Sequence, residues 1–299
     1  PFSRYMEMAL YTPRLGYYSG GSVKLGADGD FTTAPEMSSL FGATLAQVAQ
    51  QLFTQSAPEI MEFGAGSGKL AFDILSECKQ SQIPLRRYFI VELSGELRAR
   101  QEERLKDFPQ VVWLSKMPTA FSGIVIGNEV LDAMPVELVC KSEQGWTRLG
   151  VSSEMSSTAS ISGFKLVSMD EATDQHVALL TQIPDAAPLP YGYHTEVDPI
   201  EIGFIRRIAA MLMAGHAESG QGGVAIWLDY GFPAHEYYLP QRDQGTLMCH
   251  YRHHAHPDPF YLPGLQDITA HVDFTAIAIA GVEAGFDLLS YTIQAGFLL

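Results

Sequence analysis

Glu62-Phe63-Gly64-Ala65-Gly66-Ser67-Gly68-Lys69-Leu70 is the stretch whose reading decides the fold. The residues before its first glycine, Glu59–Phe63, read as a short strand. Residues 70–78 place Ala71, Ile74 and Leu75 on one face of a helix. Between the two, the chain must turn sharply while its backbone approaches a ligand. Glycines permit positive φ there and remove the Cβ atoms that would collide. The helix start then presents N–H groups that have no partner within the helix.

Working outward, residues 88–91 form a second strand that is apolar throughout, as suits a sheet covered on both faces. Residues 97–108 read as a helix with a charged outer face, and 111–114 and 123–126 as two more strands. This alternation predicts an α/β fold with a doubly wound, Rossmann-like parallel sheet. Residues 1–55 read as an N-terminal helical and loop extension, with a helical patch at 5–10, a Gly- and Asp-rich loop at 16–35, and a helix at 40–52 capped by Ser38 or Ser39. Residues 56–299 read as the main domain. Within it, 136–140 and 146–151 suggest a hairpin, and 152–198, rich in Ser, Thr, Asp and Pro, an insertion or lid. A helix is expected at 202–216, a flexible turn at 215–223, a buried strand at Val224–Leu228 and a helix at 274–284. Closing strands are expected at 286–289 and 292–297.

Three nucleotide-binding readings compete for the glycine stretch. A P-loop needs Gly, four residues, then Gly-Lys-Ser/Thr. Counting back from Gly68 puts Phe63 where the first Gly belongs, and Leu70 replaces the hydroxyl. A dinucleotide fingerprint needs GxGxxG, but Lys69 stands at its last position. The third reading, GxGxG with an acid (Glu62) two places before the first Gly, resembles motif I of the class I methyltransferases. Glu92, followed by Leu93, ends the second strand 28 positions beyond Gly64 (92 − 64). At a doubly wound switch point a carboxylate there accepts both ribose hydroxyls of an adenosine, although a nicotinamide dinucleotide would ask for a similar acid.

After the fourth strand comes Gly127-Asn128-Glu129-Val130-Leu131-Asp132-Ala133-Met134-Pro135. Strand carboxyl ends face the ligand crevice in such folds, so Asn128, Glu129 and Asp132 are expected to line it. Methyl transfer from a sulfonium is an in-line displacement, in which the protein mainly aligns donor and acceptor and stabilises shifting charge. Carboxylates suit a cationic acceptor such as guanidinium, which they bind in a bidentate way. The alternative is that Asn128 and Asp132 cap a following helix.

Several blocks together resemble the MidA family of S-adenosylmethionine-dependent methyltransferases. They are Arg4-Tyr5-Met6 with Gly16-Tyr17-Tyr18, residues 29–36, 62–68 and 128–135, Asp229-Tyr230-Gly231, and residues 266–274. The family includes the mitochondrial complex I assembly factor that methylates an arginine of a respiratory-complex subunit. The resemblance implies S-adenosylmethionine as the methyl donor and a protein arginine as acceptor, on a respiratory complex I subunit or another protein. It also implies that the loop around Thr33 and Pro35 folds over the cofactor. On this reading Glu62, Gly64, Ala65, Gly66, Gly68, Glu92, Leu93 and Asn128 belong to the cofactor site, and Glu129, with Asp132 second, orients the guanidinium. Asp267, His271 and Asp273 fall on a polar turn before the final helix; Asp267 and His271 are candidate substrate contacts, and Thr269 or Asp267 would equally serve as the helix cap. A non-catalytic assembly factor that keeps the cofactor fold as a binding module is the second reading, and an oxidoreductase the third.

The formal charge of −15 disfavours nucleic-acid binding and suits a basic protein partner. Three scattered cysteines suggest neither a disulfide framework nor a zinc ribbon. No run of about 18 apolar residues suggests a membrane span. Cys249 to His256 holds four histidines within seven positions, but without the ligand spacing of a metal site. The resemblance places Arg252 and His253 in an active-site or structural loop instead. The expected compartment is the cytoplasm in a bacterium or the mitochondrial matrix in a eukaryote. The start at Pro1 leaves a leader or transit peptide outside view.

Overall fold

β1 (Glu59–Phe63), β2 (Arg87–Val91), β3 (Val111–Leu114) and β4 (Ile124–Asn128) form one sheet with the Val224–Leu228 strand. The spatial order is β3-β2-β1-β4 followed by Val224–Leu228, and every neighbouring pair is parallel. The structure is a computed structural model that describes residues 1–19, 33–155, 161–171 and 189–298. Parallel neighbours need long crossovers, which the Lys69–Gln80, Gly95–Arg104 and Pro199–Ser219 helices supply. The first strand sits inside the sheet, with β2 on one side and β4 on the other. The winding therefore reverses at β1, and the crevice of a doubly wound fold opens at the strand ends there. Phe63 stands opposite both Val91 and Gly127, so the loops after β1, β2 and β4 begin at one level.

Ile60, Tyr88, Ile90, Ile124 and Ile126 of the strands are buried in one core with Leu45 and Ala49 of the Ser39–Leu52 helix and Ile74 and Leu75 of the Lys69–Gln80 helix. Each such aliphatic side chain contributes roughly 1.5–3 kcal/mol on burial. Ser38 caps the Ser39–Leu52 helix, accepting from Leu40 N at 3.2 Å. Ser94 does the same for the Gly95–Arg104 helix, accepting from Leu97 N at 3.4 Å. The outer face of that helix carries Glu96–Arg100 and Arg98–Glu102 ion pairs, while its Gln101 is fully buried.

The chain divides into two compact units, each assembled from separate stretches. The parallel sheet lies in the unit made of Val23–Val130, Ile205–Asp229 and Gly281–Leu299. The other comprises Pro1–Ser22, Leu131–Phe204 and Tyr230–Ala280. Its two larger sheets are antiparallel, and Gly231–Phe232 pairs with Val272–Asp273 in parallel. Glu137–Ser142, Gly145–Met155, Ile161–Glu171 and His194–Val197 form a four-stranded sheet, and Met248–Tyr251, His254–His256 and Asp267–Thr269 a three-stranded one. Among the described residues no helix is long and apolar enough to cross a membrane.

The stretch expected as an insertion or lid carries regular structure where it is described, and later expectations are corrected. In the stretch 152–198 the described residues are largely strand, because Gly145–Met155 and Ile161–Glu171 pair along most of their length; residues 156–160 and 172–188 lie outside the described residues. The expected closing strands at 286–289 and 292–297 are absent: 286–293 has no regular structure and Gln294–Leu298 is a short helix. Leu288, Leu289 and Ile293 are exposed, and short apolar runs do not by themselves distinguish strand from other structure. The turn expected at 215–223 begins later, since the Pro199–Ser219 helix runs through Gly215.

Gly215 allows that helix to touch the chain entering β4. A Cβ at this position would lie 1.9 Å from the carbonyl oxygen of Phe121, and Phe121 N donates to Met211 O at 3.1 Å. Gly215→Ala should therefore destabilise the fold by about 2 kcal/mol, although alanine is the better helix former. Denaturant unfolding reads the change, and an unchanged or raised midpoint would contradict the close approach.

Candidate functional site

The loop after β1 has the backbone its sequence demands. Gly64, Gly66 and Gly68 take φ values of 66°, 51° and 77°, the left-handed region that side chains disfavour. Gly68 N donates to Ala65 O at 2.7 Å, closing the turn. A Cβ on Gly64 would also lie 2.7 Å from Cγ2 of Val130, which follows β4. Gly68 brings no capping side chain to the Lys69–Gln80 helix, and Lys69 pairs with Asp73 one turn on.

Glu92 stands at the adjacent strand end, with its backbone N donating to Leu114 O at 3.1 Å. Its Oε1 accepts from Ser94 N at 2.8 Å, and its Oε2 from Gln101 Nε2 at 2.9 Å. The same Gln101 nitrogen donates to Gly66 O at 3.0 Å. Leu93 beside it is 83% exposed. Sequence reasoning missed Gln101; its only signal is a neutral polar residue in a helix of charged ones.

Glu62 is 2% exposed and accepts from the Tyr88 hydroxyl at 2.7 Å. Burial pushes its carboxyl up to about 7; the Tyr88 bond opposes the rise and the Glu92 charge adds to it. The motif's acid thus sits within the sheet, beneath the loop. Thr33 and Pro35 open the short Ala34–Met37 helix, where proline lacks an N–H the first turn does not need. From this helix the Glu36 carboxylate accepts from the Ser67 hydroxyl of the glycine loop.

At the end of β4, Asn128 pairs with Leu228, and its Nδ2 donates to Glu129 Oε1 at 3.3 Å. Glu129 takes φ 52°, a conformation that costs a non-glycine residue roughly 1–2 kcal/mol. Its N–H donates to Leu228 O at 2.9 Å, and Val130 N donates to Asp229 Oδ2 at 3.0 Å. Asp229, at the end of the neighbouring strand, is a positioning group that the sequence showed only as part of a family-like block, with no role assigned. No helix follows β4, so the capping alternative for Asn128 and Asp132 has nothing to cap.

Asp132, Asp267 and His271 belong to the other unit. The Asp132 carbonyl accepts from Ala270 N at 2.9 Å. Asp267, 1% exposed, accepts from the Tyr18 hydroxyl at 2.8 Å; burial and this charge push the Tyr18 phenol well above its ordinary range. The His271 ring stacks on Phe232 at 5.2 Å, and burial lowers its pKa, keeping it neutral near pH 7. The polar turn expected here is instead two short strands, Asp267–Thr269 and Val272–Asp273. The cap of the following helix is neither Thr269 nor Asp267 but Asp273, whose Oδ1 accepts from Thr275 N and Ala276 N at 3.0 and 3.2 Å.

A cavity of about 30 Å³ in this unit is lined in part by Leu131, Glu196, Asp198, His271 and Asp273. That is room for about one water molecule. Its acids serve the backbone: Glu196 accepts from Thr246 N and Leu247 N, and Asp198 from Glu201 N. Cys249 to His256 folds as an antiparallel hairpin with Arg252 and His253 at its turn. Among the described residues no group of three or more His, Cys, Asp or Glu is arranged to hold a metal ion.

Comparison with known proteins adds independent findings. The model of the family Methyltransf_28, described as S-adenosyl-L-methionine-dependent methyltransferases, matches residues 40–292. A COG1565 superfamily member from Burkholderia thailandensis bound to S-adenosyl-homocysteine is 48% identical, with a TM-score of 0.87 over 100% of this chain and 75% of that one. The mitochondrial protein arginine methyltransferase NDUFAF7 of Danio rerio is 27% identical over 91% of this chain and 66% of its own length. The Drosophila melanogaster homolog is 27% identical over 93% and 65%. The chain thus spans just under two thirds of the length of these curated relatives.

Buried Glu62 couples folding to pH. Its folded pKa of about 7 lies above its ordinary 4.5, so the folded state holds a proton that the unfolded state releases in between. Stability from this group is fully present below the ordinary value and is lost as pH rises through about 7. Glu62→Gln should remove that dependence. Between about pH 5 and 8 the wild type should lose up to about 3 kcal/mol relative to the variant. Asp198, pushed by burial up to about 8, contributes the same slope to both proteins and cancels. Parallel denaturation curves across this range would refute the assignment.

Proposed function

Because the chain belongs to the Methyltransf_28 family of S-adenosyl-L-methionine-dependent methyltransferases, we propose that it binds S-adenosylmethionine at the glycine loop and Glu92 and methylates a protein, with arginine as the acceptor. The observation that carries this is the meeting, within one unit, of a left-handed glycine loop and a carboxylate at the next strand end. That pair fits an adenosyl ligand: the loop lets the backbone approach, and the carboxylate offers acceptors to a vicinal diol. Support comes from the relative of 48% identity bound to S-adenosyl-homocysteine.

When bound, the sulfonium supplies an electrophilic methyl group. The chain's own residues would hold and orient. Gly64, Ala65, Gly66 and Gly68 would shape the loop, with Glu62 supporting it from below. Glu92 would accept from the ribose hydroxyls, with Leu93 beside it. Asn128 would lie toward the methionine moiety, and the segment with Thr33 and Pro35 would close over the cofactor. Glu129 would accept from guanidinium N–H groups and offset its positive charge, with Asp132 as the second candidate. Asp267 and His271 are proposed as further contacts to the acceptor.

Arginine is favoured because the curated relatives are named protein arginine methyltransferases, and because a chain of net charge −15 attracts basic segments. A respiratory complex I subunit is one candidate partner. We place the protein in the mitochondrion if it is eukaryotic, as those relatives are named, and in the cytoplasm if bacterial.

Calorimetric titration with S-adenosylhomocysteine tests the cofactor site. Glu92→Ala should weaken binding by about tenfold or more, the worth of a charge-assisted hydrogen bond; equal affinity would exclude Glu92 from it. Transfer of labelled methyl to arginine-rich protein tests the acceptor. Glu129→Gln should lower that rate by about 100-fold, the scale of a misplaced reactant, with cofactor affinity kept. Wild-type protein that binds cofactor and labels no arginine would exclude the arginine reading.

A further inference from the structure

We infer that Gln101, oriented by Trp113, is a positioning residue for the cofactor site, holding the Glu92 carboxylate at a fixed angle to the glycine loop. This rests on the methyltransferase reading above and concerns a side chain that touches no ligand.

Donors and acceptors fix the orientation of each group. Trp113 Nε1–H can only donate, and it lies 3.1 Å from a Gln101 side-chain atom. That atom must be the amide oxygen, which fixes the amide the other way round at its far end. Gln101 Nε2 then has two hydrogens and two acceptors within reach, Gly66 O at 3.0 Å and Glu92 Oε2 at 2.9 Å. Each group in the chain Trp113–Gln101–Glu92 is thus held by geometry that permits one arrangement. Gln101 is fully buried, so water does not compete for these bonds. Its Cγ would stand 3.3 Å from a Cβ on Gly68, so the side chain also lies against the last glycine of the loop.

The consequence for Glu92 is specific. Its Oε1 is engaged by Ser94 N and its Oε2 by Gln101 Nε2, one donor to each oxygen. Each carboxylate oxygen keeps acceptor capacity, so two adjacent hydroxyls can be received at once. Without Gln101 the carboxylate is held by one oxygen only and turns about that bond. The cost then falls on ligands that use both hydroxyls and spares those that use one. Gln101 thereby sets the preference for an intact 2′,3′-diol, and does so through Glu92.

The test compares S-adenosylhomocysteine with its 2′-deoxy analogue by calorimetry on the full chain. Gln101→Met keeps the length of the side chain and removes its hydrogen bonds. It should weaken S-adenosylhomocysteine binding by about tenfold while the analogue's affinity changes little, so that the preference for the diol collapses. Should Gln101→Met fail to fold, as thermal melting would show, Trp113→Phe carries the test: it keeps an aromatic ring and removes the donor that orients the amide. It should lower the diol preference in the same direction. A variant that folds and keeps the wild-type preference overturns the role of Gln101, with the cofactor reading intact. Wild-type protein with no affinity for S-adenosylhomocysteine overturns the cofactor reading and this inference with it.

Discussion

The carbonyl of Gly66 points back into the protein, toward the buried amide of Gln101, and this follows from the left-handed backbone on which the glycine loop is built. A loop of ordinary residues would pay the left-handed penalty three times over, roughly 1–2 kcal/mol each. With glycine the conformation is accessible, and the loop is tied to the neighbouring strand end through one side chain. The reversal of winding at β1 supplies the rest, since it sets the ends of β1, β2 and β4 side by side. Sheet order, loop conformation and hydrogen bonding thereby converge on the carboxyl ends of the inner strands.

The parallel sheet was legible in the sequence because its signals are local. β1, β2 and β3 are short apolar runs, Ala71, Ile74 and Leu75 repeat at helical spacing, and the glycines announce the turn. The antiparallel unit was less legible. Its segments of mixed polarity, such as Glu137–Ser142 and His194–Val197, lack a continuous apolar pattern. The tail after residue 285 misled for another reason: Leu288, Leu289 and Ile293 look like strand residues but lie at the surface.

Within the site, residue types that only one conformation tolerates could be read, and residues whose role depends on a partner could not. Gly64, Gly66 and Gly68 fall in the first group. Gln101, Asp229 and Glu36 fall in the second: each acquires meaning from an atom 35, 99 or 31 positions away. The helix cap at Asp273 in place of Thr269 or Asp267 shows the same limit at short range. Asp, Thr and Ser serve equally as caps, and only the strand pairing of Val272–Asp273 with Gly231–Phe232 decides which one stands at the helix start.

Glu129 occupies a backbone position better suited to glycine, and the bonds to Leu228 and Asp229 hold the chain there despite the side chain. On the role proposed for Glu129, stability and chemistry would pull in opposite directions at this one residue. Selection for folding alone would let it drift to glycine, relaxing the turn by roughly 1 kcal/mol. A library selected only for heat resistance would find this position among its first gains, and would leave behind a sturdier protein without the carboxylate.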